Sequence, residues 1–281
     1  MILAFYLILF TEKIIVMKNQ PLISKPLALV AGALFLLFTS LASFSQTTTV
    51  VKNIVIVHGA FADASGWEAV YKILKKNGYK VTLVQNPLTS LDDDVAATNR
   101  ALDKQDGPVI LVGHSWGGAV ITQAGVSPKV VGLVYVAAFV PDKGETVLGM
   151  IQSGPQLPVN GILPPDDKGI VYFDKTKFRE CFAAEQTIEK ANFMFDSQQP
   201  IAVKSFLTPL TEASWKSKPS YAILATHDKS IHPDLLRSMY KRAGAEVTTL
   251  NGSHTIFMAQ PNAVAAVIEK ASGFKKQLKK Q

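Results

Sequence analysis

Cysteine is nearly absent from this chain of 281 residues: Cys181 is the only one. That excludes an intrachain disulfide framework and a cysteine-rich zinc site. It does not exclude an oxidising compartment, and a lone buried-type thiol reads as a small packing residue. Histidine is scarce as well, with five in all: His58, His114, His227, His232 and His254. No H-E-x-x-H or other metal-ligand spacing occurs, so no metal is expected. No G-x-G-x-x-G follows the first strand-like run, and no glycine-rich loop ends in G-K-[ST]. A dinucleotide site and a P-loop are therefore not indicated.

A basic patch within the body is also missing. The formal charge is +7, from 29 Lys+Arg against 22 Asp+Glu. Much of that excess sits in the last stretch, Lys275, Lys276, Lys279 and Lys280. A nucleic-acid binder would carry its positive charge on one face of the fold, so no nucleic-acid partner is expected. The tail reads as a solvated terminus.

Long apolar runs are confined to the beginning. Residues 26–51 carry no charge, and Leu27 to Phe38 is an unbroken series of apolar residues and Gly. Lys18 and Lys25 precede it, and small residues, Ser40, Ala42, Ser43 and Ser45, follow. A basic start, a short apolar core and a small-residue end describe a secretory signal peptide over residues 1–45. Met17 begins the pattern, so residues 1–16 read as an over-long gene start. Cleavage before Gln46 or before Ser43 fits, and export to the periplasm or medium is expected, without stable membrane insertion afterwards. The alternative is an uncleaved N-terminal membrane anchor, for which a run of twelve is short.

From Val50 onward, strand-like and helix-like segments alternate. The strands are Asn53–Val57, Tyr79–Val84, Pro108–Val112, Val130–Phe139, Tyr221–Thr226 and Glu246–Leu250. The helices are Ser65–Asn77, Leu91–Lys104, Trp116–Gly125, Pro233–Ala243 and Pro261–Ser272. The apolar residues of the first helix, Trp67, Val70, Tyr71 and Leu74, recur at helical spacing. Asp92-Asp93-Asp94 suits the positive end of the second. Continuous apolar strands separated by helices predict an α/β fold: about six mostly parallel strands with helices on both faces. Residues 142–219 break the rhythm and read as a cap inserted in a single domain covering 46–281, with one helix-like stretch from about Thr176 to Phe195.

The chemistry gathers in three places. Gly113-His114-Ser115-Trp116-Gly117 fits G-x-S-x-G between a strand and a helix. That context lifts the Ser115 hydroxyl above the sheet and aims the amide of Trp116 at a developing oxyanion. His58-Gly59-Ala60-Phe61 follows the first strand; Ala60 is the candidate second amide donor and His58 a brace for the loop. A serine nucleophile needs a base and a group to orient it. Only His254 lies after the last strand, Glu246–Leu250, and before the final helix, and the residue order Ser…Asp…His puts Asp228, just after Tyr221–Thr226, as the orienting acid. Asp142 is the rival acid; Asp234 opens a helix and fits worse.

These residues, with Leu133–Pro141, Ala225-Thr-His-Asp228 and Gly252-Ser-His254, resemble the α/β-hydrolase superfamily over about 53–272. In texture the chain is similar to small bacterial serine hydrolases that themselves resemble plant methyl-ester esterases and hydroxynitrile lyases. The resemblance implies a catalytic triad of Ser115, Asp228 and His254, an oxyanion hole from the Ala60 and Trp116 amides, a small-molecule substrate and no cofactor. The expected reaction is hydrolysis of a carboxylic ester, thioester or lactone. Two alternatives stand beside it: a C–C lyase of the hydroxynitrile-lyase kind, and a binding protein on a hydrolase scaffold. The two antiparallel opening strands of larger members are expected to be missing or minimal. Cap lysines Lys168, Lys175 and Lys177 are candidates for holding a small anion, as a lyase requires. The cap holds eight aromatic residues in 78, an average share, which singles out no ligand class.

Overall fold

The β-branched, apolar run Asn53–Val57 forms β1, buried along its whole length. A computed structural model describes residues 50–273 except 160. The signal-peptide expectation for residues 1–45 and the lysine tail lie outside the described residues.

After β1 the chain makes a 3-10 turn at Ala64–Trp67, capped by the Asp63 side chain, then α1 (Glu68–Lys76). Gly78, at φ +81°, ends that helix in the left-handed conformation that glycine adopts without strain. There follow β2 (Lys80–Val84), α2 (Leu91–Asp103), β3 (Val109–His114), α3 (Gly117–Ala124) and β4 (Val130–Val136). The segment between β4 and the next sheet strand carries α4 (Val147–Ser153), β5 (Ile170–Val171), α5 (Lys175–Cys181), α6 (Ile188–Asp196), β6 (Ile201–Ala202) and α7 (Val203–Leu207). The chain then re-enters the sheet through β7 (Ser220–Ala225), α8 (Pro233–Arg242) and β8 (Glu246–Leu250), and closes with α9 (Ile256–Ala259) and α10 (Pro261–Ala271).

The main sheet has six strands in the order β2-β1-β3-β4-β7-β8. Every pairing in it is parallel. Successive residues of β1 feed opposite cores. Val55 and Val57 pack in the cluster that includes Leu91, Val120 and the cap. Ile54 and Ile56 pack with Trp67, Leu74, Val264 and Ile268 on the other face. Both faces are thus covered, which is why the central strands read as continuous apolar runs. The edge strands, KVTLV and EVTTL, interleave Thr and charged residues and are only partly buried.

Strand order reverses at β1: the chain steps outward to β2, then returns to pair β3 on the other side of β1. The crevice at the carboxyl ends of β1 and β3 is the switch point where open parallel sheets bind ligands. The loops after β1, β3, β7 and β8 meet above that end.

The cap departs from expectation in one respect. The predicted single helix over Thr176–Phe195 is two helices, α5 and α6, separated by residues 182–187. Thr187 caps α6 by accepting from the Lys190 amide, and the Arg179 side chain donates to the Gln186 carbonyl at 3.0 Å. The break turns Phe182 into the core. A short antiparallel ribbon, β5 with β6, was not anticipated from the sequence either. No helix among the described residues is long and apolar enough to cross a membrane.

Candidate active site

Ser115 stands immediately after β3 at φ +53°. A non-glycine residue costs on the order of 1–3 kcal/mol there, so the surroundings must over-determine it. They do so through the backbone. Ser115 donates its amide to the Val136 carbonyl at 3.3 Å and accepts from Gly118 and Phe139 at 3.0 and 3.2 Å. Neither Gly113 nor Gly117 has a positive φ; they are needed for close approach. A Cβ at Gly113 would lie 2.5 Å from the Gly117 carbonyl oxygen, and one at Gly117 2.5 Å from the Val57 oxygen. The turn closes so tightly that only glycine fits on either side of Ser115. At 8% exposure, Ser115 is sheltered yet reachable.

Ala60 and Trp116 border the same cavity as Ser115. Among the described residues, neither the Ala60 nor the Trp116 N–H has a hydrogen-bond acceptor, although both residues are buried. Buried amides without acceptors are rare and invite an external acceptor. The Ala60 loop is held by His58, whose Nδ1–H donates to the Gly59 carbonyl at 2.8 Å while Nε2 accepts from the Asn86 amide at 2.9 Å. The Asn86 side chain returns a bond to the His58 carbonyl at 3.0 Å. Burial lowers the His58 pKa, so the ring is a neutral brace with both nitrogens occupied. That agrees with the role expected from its sequence position.

On the other side of the crevice, Asp228 and His254 form a buried pair, with Nδ1 of His254 at 2.8 Å from Oδ2 of Asp228. Oδ1 of Asp228 accepts from the Ser230 and Ile231 amides at 2.7 and 2.9 Å. The carboxylate thus takes three N–H donors and is fixed in direction. The two loops are zipped beyond the strand ends, Thr226 N to Leu250 O and His227 N to Gly252 O. His254 is further held by its own carbonyl, which accepts from Nε2 of His114 at 3.0 Å. His114 is buried against Phe257 and Trp67. Burial, followed by the neighbouring His254, drives its pKa well below the usual value, so it donates as a neutral imidazole.

Other candidates sit elsewhere. Asp142 pairs with Lys216 at 2.5 Å and accepts from the Lys143 amide at 2.6 Å. The Lys216 contact lowers its pKa, and no histidine is among its partners. Asp234 pairs with Arg237 in the first turn of α8, whose amide there is capped by His232. His227 is exposed.

Ser115, Trp116, Ala60 and His254 line one cavity. Its remaining walls are Phe61, Phe139, Ile151, Ile162, Phe173, Phe182, Phe206, Ser230 and Ile231. Three of the cap's eight aromatic residues, Phe173, Phe182 and Phe206, are among these walls. The cap lysines do not reach this cavity. Lys175 pairs with Asp196, Lys177 is exposed, and Lys168 lines a separate open groove beside Thr89 and Lys204.

Three participants left no mark in the sequence. Phe182 places its ring 5.1 Å from that of His254. Glu185, in the same cap turn, accepts from both the amide and the hydroxyl of Ser253, the neighbour of His254. Asp94 is the third. Read beforehand as one of three acids at a helix start, it is fully buried. It accepts from Nε1 of Trp116 at 2.7 Å and from the Leu88 amide at 2.8 Å. Burial raises its pKa to about 6, the two donors hold it down, and Asp93 adds to the rise.

Comparison with known proteins agrees with this architecture. A sequence model described as the alpha/beta hydrolase family matches residues 54–267. The chain is 26% identical over 246 residues to the alpha/beta hydrolase nvfD of Aspergillus novofumigatus, covering 78% of this chain and 96% of that protein. Its fold is similar to that of a pyrethroid hydrolase from Sphingobium faniae, with a TM-score of 0.68, 23% identity, and 79% and 97% of the two chains covered. A methylesterase from Arabidopsis has a TM-score of 0.65 at 20% identity, with 80% and 100% covered.

Proposed function

The chain belongs to the alpha/beta hydrolase family, and on that premise we propose that it is a cofactor-independent serine hydrolase acting on small carboxylic esters with an apolar acid part. The observation that carries this reading is the buried Asp228–His254 pair opening onto the same cavity as Ser115.

In this reading, Oγ of Ser115 attacks the ester carbonyl and His254 takes its proton at Nε2, since Nδ1 is engaged by Asp228. The carbonyl oxygen becomes an oxyanion and accepts from the Ala60 and Trp116 amides, which have no other acceptor among the described residues. His254 returns the proton to the departing alcohol, leaving an acyl-enzyme on Ser115. A water, deprotonated by His254, cleaves it to the free acid and restores the serine. Asp228 holds the tautomer throughout and stabilises the imidazolium.

The walls favour the acid part being neutral and apolar. A buried charge with no partner is costly, and His254 is the only titratable side chain on the cavity apart from the nucleophile. The same lining disfavours the lyase reading, because it offers a departing cyanide no lysine or arginine. The esterase character of the structural relatives agrees with ester cleavage.

The test is a fluorophosphonate probe together with a substrate panel. The probe should label Ser115, and Ser115→Ala should lose both labelling and turnover. p-Nitrophenyl phenylacetate and butyrate should be cleaved far faster than the charged hemisuccinate, and a cyanohydrin should be left intact. A protein that binds the esters without turnover or labelling would instead be a binding scaffold.

A further inference from the structure

The mechanism above leaves one buried acid unused. Asp94 is the fourth residue of α2, fully buried, with no cation among its partners. Burying a carboxylate without a counter-charge is unfavourable, so its retention calls for a reason. Its two oxygens lead to Trp116 and to the loop that braces Ala60, the two cavity-lining residues whose amides have no acceptor among the described residues. Oδ2 holds the indole N–H of Trp116, the residue whose own backbone amide is one of the two. Oδ1 holds the Leu88 amide, in a loop where Leu88 itself sits at φ +56°. Two residues earlier in that loop, Asn86 makes two bonds to His58, the histidine that braces the Ala60 loop. The path from one crevice amide to the other therefore runs through a single carboxylate: Trp116, Asp94, the 86–88 loop, His58, Ala60.

We propose that Asp94 is a positioning residue that sets the spacing of the Ala60 and Trp116 amides for the oxyanion, an inference that rests on the hydrolase reading. The geometry demands an acid. Both groups facing residue 94 are N–H donors, and an asparagine can accept from one of them only by turning its own NH₂ against the other. Asp94 touches no reacting atom; it acts through Trp116 and the 86–88 loop. The cap leans on the same loop, with the Ala202 amide donating to the Leu88 carbonyl at 2.9 Å and the Gln199 side chain to the Asn86 carbonyl at 2.9 Å. The cap thus bears on the loop that Asp94 holds.

The experiment compares two ligands that fill the same cavity in the full-length chain. A phenyl-bearing trifluoromethyl ketone adds to Ser115 and places an oxyanion between the amides; the matching secondary alcohol has the same shape and forms none. In Asp94→Asn, affinity for the ketone should fall by about 10- to 100-fold, less than the 10²–10³ that loss of an entire donor costs. Affinity for the alcohol should change by no more than about twofold. Trp116→Phe removes the indole donor; because that ring also borders the cavity, the readout is the ketone-to-alcohol affinity ratio, which should fall by the same 10- to 100-fold, so the proposal stands testable if the Asn variant does not fold. Equal loss for ketone and alcohol, or an unchanged ketone affinity in both variants, would overturn it. A wild-type protein that fails to form the ketone adduct would overturn the hydrolase reading instead, and this inference with it.

Discussion

Replacing Asp228 by asparagine tests the arrangement at its most constrained point. Alanine is the wrong choice, because it would leave buried donors unpaired and confuse catalysis with folding. Asparagine preserves the shape. Its carbonyl oxygen can take the place of Oδ1, which accepts from the Ser230 and Ile231 amides at 2.7 and 2.9 Å. Its NH₂ then faces Nδ1 of His254 across 2.8 Å, where an N–H now points. Two donors cannot share that gap, so the ring must move its proton to Nε2. That is the nitrogen that has to receive the Ser115 proton. Turnover should fall on the order of 10⁴-fold, about 5.5 kcal/mol on the barrier. The comparison variant is Asp142→Asn, whose partner Lys216 lies at the surface. An exposed ion pair is worth about 0–1 kcal/mol and acts on no reacting group, so kcat should change less than about threefold. Both variants would be checked by circular dichroism and assayed on p-nitrophenyl phenylacetate over a range of concentrations. The reasoning is refuted if Asp228→Asn keeps a tenth of wild-type kcat or more, or if Asp142→Asn is the inactive variant.

Two further expectations follow from particular contacts and a third from the sequence of the N-terminus. Asp94, raised from 3.8 to about 6 in the native state, binds its proton there more readily than in the unfolded chain. Its contribution is therefore most favourable below about pH 4 and is lost as pH rises through 6, an effect of about 3 kcal/mol. Urea unfolding of the wild type and of Asp94→Asn, at pH 4 and pH 7, should show the wild type losing stability relative to the variant by that order, and parallel pH profiles would count against it. Gly113→Ala would put a Cβ 2.5 Å from the Gly117 carbonyl oxygen, so we expect about 1–3 kcal/mol of destabilisation and a marked fall in fluorophosphonate labelling. The charge-free segment 26–51 predicts removal of the N-terminus on export, and intact-mass analysis after secretion should find a chain beginning near Gln46 rather than the full-length chain in the membrane fraction.

Much of this protein is written in short-range terms. The runs NIVIV and VILVGH are apolar at every position because both sheet faces are covered, and that requirement acts residue by residue along the strand. The turn around Ser115 needs small residues two positions to either side, a constraint that spans five residues and is visible as a motif. The order of Ser115, Asp228 and His254, each just past a strand, follows from parallel strands that all end at the same edge. What the tertiary structure alone decided is which of several equivalent residues faces inward. Asp92, Asp93 and Asp94 are chemically alike at the start of one helix. Only Asp94 is turned to the core, and its partners are an indole 22 residues later and an amide six residues earlier. Phe182 and Glu185 sit in a cap segment whose sequence favours one helix, and the break that brings them to His254 and Ser253 depends on packing against loops about 70 residues away. Local propensity and periodicity carry no record of such partners, because a side chain's burial is set by what the rest of the chain places opposite it.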